Sequence, residues 1–180
     1  MRLFIGINIP ENIKKKILEI QEKLKDADIK LVEPENLHIC LKFLGEVDEN
    51  QIENIKKSID NVCNNYKSFE IRLNKLNFFP NENFIRVVFI ELENPWIIKS
   101  MMELLDTELN KYGFEKEKRD YIPHITLGRV KNIKNKENFL KITKNIKINE
   151  IININEIKLF SSKLTQKGPI YSIIYSKKLL

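Results

Sequence analysis

The sequence predicts an α+β fold. Three observations carry that prediction. Hairpin-like strand pairs are mixed with helices in the order β-α-β-α-β-β-α-β-α-β-β. That order lacks the regular alternation of a βαβ wind. No linker, low-complexity tract or run of five like charges divides the chain. At 180 residues the length suits one domain, residues 1–180. A chain of this size buries roughly 70% of its unfolded surface and needs no metal or disulfide to hold a core.

The elements follow in order. Arg2 to Ile9 (RLFIGINI) alternates apolar and mixed residues and stops at Pro10, which reads as a strand running into a helix start. Glu11 to Lys25 then sets Ile13, Ile17, Ile20 and Leu24 on one helical stripe. Leu37 to Leu44 is a strand bounded by Pro34 and Gly45, and Asp48 is an N-cap for a helix carrying Ile52, Ile55, Ile59 and Val62. Phe69 to Phe79 and Phe84 to Leu92 form a hairpin across Pro80-Asn81-Glu82-Asn83. Pro95 opens a third helix with Ile98, Met101, Met102, Leu105 and Leu109 inward, and Gly113 stops it. Tyr121 to Val130 is a strand whose early Pro123 places it at an edge or at a strand start. A weaker helix covers Lys136 to Lys144, and two strands, Glu150 to Ser161 and Pro169 to Lys177, close the chain around Gly168-Pro169.

Composition narrows the function. Apolar residues at 42% and charged residues at 31% describe an ordered globular chain. The 31 Lys and Arg against 25 Asp and Glu leave a net charge of +6, which favours an anionic partner without demanding one. Cys40 and Cys63 are the only cysteines and fit neither a disulfide framework nor a zinc ribbon. The five glycines form neither GxGxxG nor GxxxxGK[ST], so the usual phosphate-cradling loops are missing. No stretch approaches the 18 or so apolar residues of a membrane helix, and Met1 to Ile9 is too short for a signal sequence. A cytoplasmic protein is expected, with a monomer as the default.

The chain holds two histidines in matching settings: His38 in NLHICLKFLG and His124 in YIPHITLGRV. Both read His-Ile-X-Leu, with X a small hydrogen-bonding side chain. On a strand, alternate residues share a face, so His38 aligns with Cys40 and His124 with Thr126. Ile39, Leu41, Ile125 and Leu127 then point into a core. Lys42 continues the first polar face, whereas Arg129 falls on the wrong face unless Gly128 permits a bulge. Either histidine alone is more simply a satisfied strand residue. Two of them, 86 residues apart, form the pair that acid–base chemistry at a phosphodiester requires. With no carboxylate at ligand spacing, they make a poor metal shell, and no metal is expected.

Duplicated His-x-Thr-x motifs mark the two-histidine phosphoesterases. The chain resembles the RNA 2′,3′-cyclic phosphodiesterases (2′-5′ RNA ligases) of that superfamily over nearly its whole length. RLFIGINIP, ENLHICLKFLGEV, the FPN turn, PHITLGRV and SKLTQKGPIY carry the resemblance. It implies a two-lobed α+β fold, each lobe an antiparallel sheet flanked by helices, related by a pseudo-two-fold axis at a central cleft. It further implies hydrolysis of RNA 2′,3′-cyclic ends to 2′-phosphomonoesters, reversible toward 2′-5′ ligation, without ATP, metal or other cofactor. His124 would act as general base and His38 as general acid, with Cys40, Thr126 and a cation on the phosphate oxygens.

Cys40 departs from the Thr or Ser usual there. It is read as a weaker phosphate donor, as an isosteric filler, or as a reactive thiol near Lys42. Arg129 is read as a phosphate fork or as half of a surface ion pair, and Arg86 likewise. Lys42 is read as a solvated or steering charge. Phe79, Phe84 and Tyr171 either stack a base or pack the core. The Lys-rich stretch from Lys131 to Lys147 is a solvated face or an RNA contact. Two rival functions stand beside the phosphodiesterase: a non-catalytic RNA 3′-end-binding module, and a phosphodiesterase for small cyclic nucleotides.

Overall fold

Buried apolar alternation in nine strands decides the architecture, and four amphipathic helices cover the faces those strands leave apolar. The computed structural model describes residues Met1–Leu180. The strands are β1 (Arg2–Asn8), β2 (Asp28–Leu31), β3 (His38–Glu46), β4 (Phe69–Asn81), β5 (Phe84–Glu93), β6 (His124–Asn132), β7 (Ile151–Ile154), β8 (Glu156–Thr165) and β9 (Gly168–Lys178). The helices are α1 (Glu11–Glu22), α2 (Ile52–Cys63), α3 (Trp96–Asn110) and α4 (Lys136–Lys144). All strand pairs are antiparallel, in the order β7-β4-β5-β6-β3-β1-β8-β9, with β2 beside β6.

That order reads as two halves set back to back: β6-β5-β4-β7 and β3-β1-β8-β9. Their motif strands β3 and β6 share a single backbone pair, Ile39 opposite Ile125, and β2, which leads into β3, adds a second tie to β6. The α+β class and the two-lobed arrangement around a cleft are as expected. The halves also exchange strands. After α2 the chain passes into the second half as β4, and after α4 and β7 it returns to the first as β8. One cluster of 37 buried side chains runs through both, from Leu3, Ile5 and Ile39 to Ile90, Ile125 and Leu127.

Several elements differ from the sequence reading. The expected strand from Glu150 to Ser161 is broken at Asn155: β7 pairs with β4, whereas β8 pairs with β1 in the other half. An unbroken apolar alternation hides such a break, because both pieces bury the same kind of face. Strand β2, to which the sequence reading assigns no element, pairs with β6 over Leu31 to Asp28; four residues carry too little periodicity to register. Asp48 caps a short 3₁₀ turn through Asn50 N at 3.1 Å, one turn ahead of α2. Pro123 precedes a strand start, as expected, but β6 is central in the sheet and not at its edge.

Candidate active site

Each histidine opens its strand: His38 is the first residue of β3 and His124 the first of β6. What precedes each strand holds the ring. His38 Nδ1 donates to the carbonyl of Asn36 at 2.7 Å, and His124 Nδ1 donates to the carbonyl of Ile122 at 2.6 Å. A carbonyl has no proton to give, so each Nδ1 carries the hydrogen and each neutral ring keeps its lone pair on Nε2. Both imidazoles line one cleft of about 810 Å³ together with Cys40, Thr126 and Arg129.

Aromatic rings wall both histidines in the same manner. Phe4 and Tyr171 lie 4.8 Å and 5.5 Å from His38, and Phe79 and Phe89 lie 5.0 Å and 5.1 Å from His124, centroid to centroid. These walls desolvate the rings and hold both pKa values below the ordinary histidine value, although the Nδ1 bonds oppose the shift. The charge of His124 lowers His38 further. Both shifts favour the neutral rings, and a proton on His124 disfavours one on His38.

The bulge that Arg129 requires is present. On β5, Val88 and Phe89 are consecutive, yet their partners on β6 are Gly128 and Thr126. Leu127 is the extra residue, and alternation resets so that Arg129 follows Thr126 into the cleft. The same device recurs on β3, where Ile5 and Gly6 face Lys42 and Cys40. There the reset brings Phe43 into the cleft, with the Arg2 guanidinium 5.2 Å over its ring. Lys42 is thereby turned away. It is not a solvated or steering charge: its Nζ is 2.6 Å from Asp106 on α3 and 2.7 Å from the Glu115 carbonyl, and its side chain is 11% exposed.

The remaining candidates separate cleanly. Tyr171 lines the cleft and packs against His38. Phe79 packs on Phe89 and His124. Phe84 and Arg86 stack on each other at 4.6 Å outside the cleft lining. Burial pushes the Cys40 thiol up to about 11, so it is protonated at neutral pH and the reactive-thiol reading fails. Lys25, Lys30 and Lys167 join Arg2 and Arg129 as cations around the cleft. No group of three or more His, Cys, Asp or Glu side chains is placed to hold a metal ion. No helix is long and apolar enough to cross a membrane.

Phe4, Phe43 and Phe89 escaped the sequence reading. Their signal, an aromatic on the strand beside each motif or just past it, appears only once register and bulges are known.

The family model for LigT like phosphoesterases matches residues 7–89 and 96–171, one histidine motif in each stretch. The chain belongs to this family. Among curated proteins it is 45% identical over 177 residues to the RNA 2′,3′-cyclic phosphodiesterase of Methanocaldococcus jannaschii, covering 97% of this chain and 98% of that one. It is 38% identical to the protein of the same name from Methanothermobacter thermautotrophicus, covering 96% and 95%. Among solved structures, TT0787 of Thermus thermophilus superposes with a TM-score of 0.86 at 25% identity, covering 99% of this chain and 98% of that one. The E. coli LigT complex with 3′-AMP shares the fold, with a TM-score of 0.77 at 22% identity and coverage of 99% and 97%. A LigT like phosphoesterase thus carries its paired motifs on two halves of one sheet, joined where the histidines stand.

Proposed function

We propose that this LigT like phosphoesterase hydrolyses RNA ends bearing a 2′,3′-cyclic phosphate, leaving a 2′-phosphomonoester. One observation carries the reading: two imidazoles, each with Nδ1 committed to a backbone carbonyl, present Nε2 to one cleft beside Thr126 and Arg129. Relatives bearing the name RNA 2′,3′-cyclic phosphodiesterase, matched over nearly the whole chain, support it.

In this reading His124 Nε2 takes a proton from water as the water oxygen bonds to phosphorus. The bond from phosphorus to O3′ breaks, and His38 Nε2–H protonates that oxygen. The roles exchange in the reverse direction, which joins 2′-5′ ends. Each transfer contributes about 10²- to 10⁴-fold. Arg129 meets the non-bridging oxygens with a planar fork, and the Thr126 hydroxyl donates beside it. The residues themselves supply acid, base and charge, so no cofactor is assigned. Lys25, Lys30 and Lys167 around the cleft favour a polyanion over a mononucleotide, and a single chain acting on RNA in the cytoplasm is the simplest setting.

The test is metal-free, ATP-free turnover of an oligoribonucleotide ending in a 2′,3′-cyclic phosphate, with the product isomer identified. A 2′-phosphate product, and loss of at least about 10³-fold in both His38→Ala and His124→Ala, is expected. Binding without turnover would favour an end-binding module. Faster turnover of a cyclic mononucleotide than of the oligonucleotide would move the substrate to small cyclic nucleotides.

A further inference from the structure

Two buried polar side chains outside the cleft reach both histidine strands. Gln21 on α1 is 3% exposed, and its Nε2 donates to the Val32 carbonyl at 2.9 Å and to the Leu127 carbonyl at 3.0 Å. Val32 begins the stretch that passes through the Pro34–Asn36 turn to His38, and Leu127 is the bulged residue on the strand of His124. Asp106 on α3 is 2% exposed. Its Oδ2 accepts from Glu117 N at 2.7 Å and from the Tyr121 hydroxyl at 2.5 Å, and its Oδ1 pairs with Lys42 at 2.6 Å. Glu117 to Tyr121 lead to Ile122, whose carbonyl holds His124, whereas Lys42 lies on the strand of His38. Gln21 and Asp106 are 85 residues apart, within one residue of the spacing between the histidines. They occupy equivalent places in the two halves.

We propose that Gln21 and the Lys42–Asp106 pair are reciprocal braces. Each ties the approach to one histidine to the strand that bears the other, and together they set how the two imidazoles face one phosphate. The need for them is visible in the sheet, because the two motif strands share only the Ile39–Ile125 pair. Beyond that pair, the β2–β6 ladder and the Val32 N–H, 2.8 Å from the Leu127 carbonyl, tie only the approach to His38 to β6, so the motif strands themselves have little backbone to resist scissoring. Buried hydrogen bonds resist that motion, since breaking them leaves the Gln21 amide or the Asp106 charge in the interior without its partner. Acid and base on opposite sides of one phosphorus tolerate little misplacement; a shift of about 1 Å costs about 10²-fold. Both residues are positioning residues, and their catalytic effect rests on the function proposed above.

Two variants separate the braces. Asp106→Asn keeps the volume and still faces Lys42 with its carbonyl, but the NH2 in place of Oδ2 accepts from neither Glu117 N–H nor the Tyr121 hydroxyl. Gln21→Met keeps the length and removes both donors. The histidine Nδ1–H resonances, read by ¹⁵N-histidine NMR, report each ring directly. Asp106→Asn is expected to broaden the His124 signal and spare His38, and Gln21→Met to do the reverse. In both variants kcat on the cyclic-ended oligoribonucleotide falls tenfold or more while KM stays within threefold. Signals lost together in both variants, or both intact with kcat within twofold of wild type, would overturn the proposal. Should Asp106→Asn not fold, the Lys42→Met/Asp106→Leu double variant fills the site with apolar groups of similar volume and carries the same measurement. An inactive wild type with selective NMR losses would sink the proposed function and leave the braces standing.

Discussion

Cys40 is the residue on which this chain departs from its own second motif, where Thr126 stands. Its thiol lines the cleft yet stays protonated, so in the proposed mechanism it is only a weak, long donor to a phosphate oxygen. Cys40→Thr is therefore expected to keep or raise kcat; a loss beyond tenfold would contradict that account. The histidines make a second prediction at this scale. Burial lowers both of their pKa values, and the proposed acid–base mechanism needs one ring charged and one neutral. The bell of kcat/KM, which reports the free enzyme, should peak below the ordinary histidine value of 6.5. The kcat profile, reporting rings beside a bound anion, should lie to its alkaline side. A kcat/KM optimum above pH 7 would count against desolvated rings. That His38 and Cys40 share one face, and His124 and Thr126 another, follows from strand alternation, which holds up to the bulge, and both faces line one cleft. Lys42 was misread for the same reason, since the extra Leu41 on β3 turns it from the cleft to Asp106.

At the scale of elements, the site depends on how closely neighbouring strands approach. A Cβ on Gly6 would stand 2.8 Å from the Ile39 carbonyl and 3.6 Å from His38 Cδ2. Gly6→Ala must push β1 from β3 at Ile39, the residue that pairs β3 with β6. It should destabilise by about 1–3 kcal/mol and also lower kcat, whereas a change in Tm with unaltered kcat would show that His38 does not feel the strain. Gly128 is tighter, with a Cβ only 2.6 Å from Ile29 Cγ2 on β2; the small residue lets β2 lie against β6. The helices and most strands were legible, since each has its own period and stop signal. Strand β2 and the break at Asn155 were not, because a strand's partner is chosen by distant chain and leaves no local mark.

The exchange of β4 and β8 between the halves makes each half depend on a strand that follows the other half's helices. We propose that residues 1–180 unfold as one unit. Calorimetry should give a single endotherm with equal calorimetric and van't Hoff enthalpies; two resolved transitions would separate the lobes. Stability should also depend on pH through the histidines. With folded pKa values below the unfolded value of 6.5, the folded chain binds fewer protons than the unfolded one in that window. Stability is therefore complete above about pH 7 and is lost as pH falls through 6.5 toward the lowered values. Tm should drop over that interval, and the drop should shrink in a His38→Gln/His124→Gln variant. An unchanged slope would assign the acid sensitivity elsewhere.

By itself the sequence determined the class of fold, the helices, the paired motifs and the face each motif presents. These follow from spacing within a dozen residues, where backbone geometry alone sets direction. Only the tertiary structure decided which strands pair, where the bulges fall and what stands behind each ring. Arg129 enters the cleft and Lys42 leaves it through one inserted residue in each ladder. Gln21 and Asp106 meet the motif strands only after α1 and α3 have packed. Such contacts join residues up to 106 positions apart in the chain, and no local period encodes a partner at that distance.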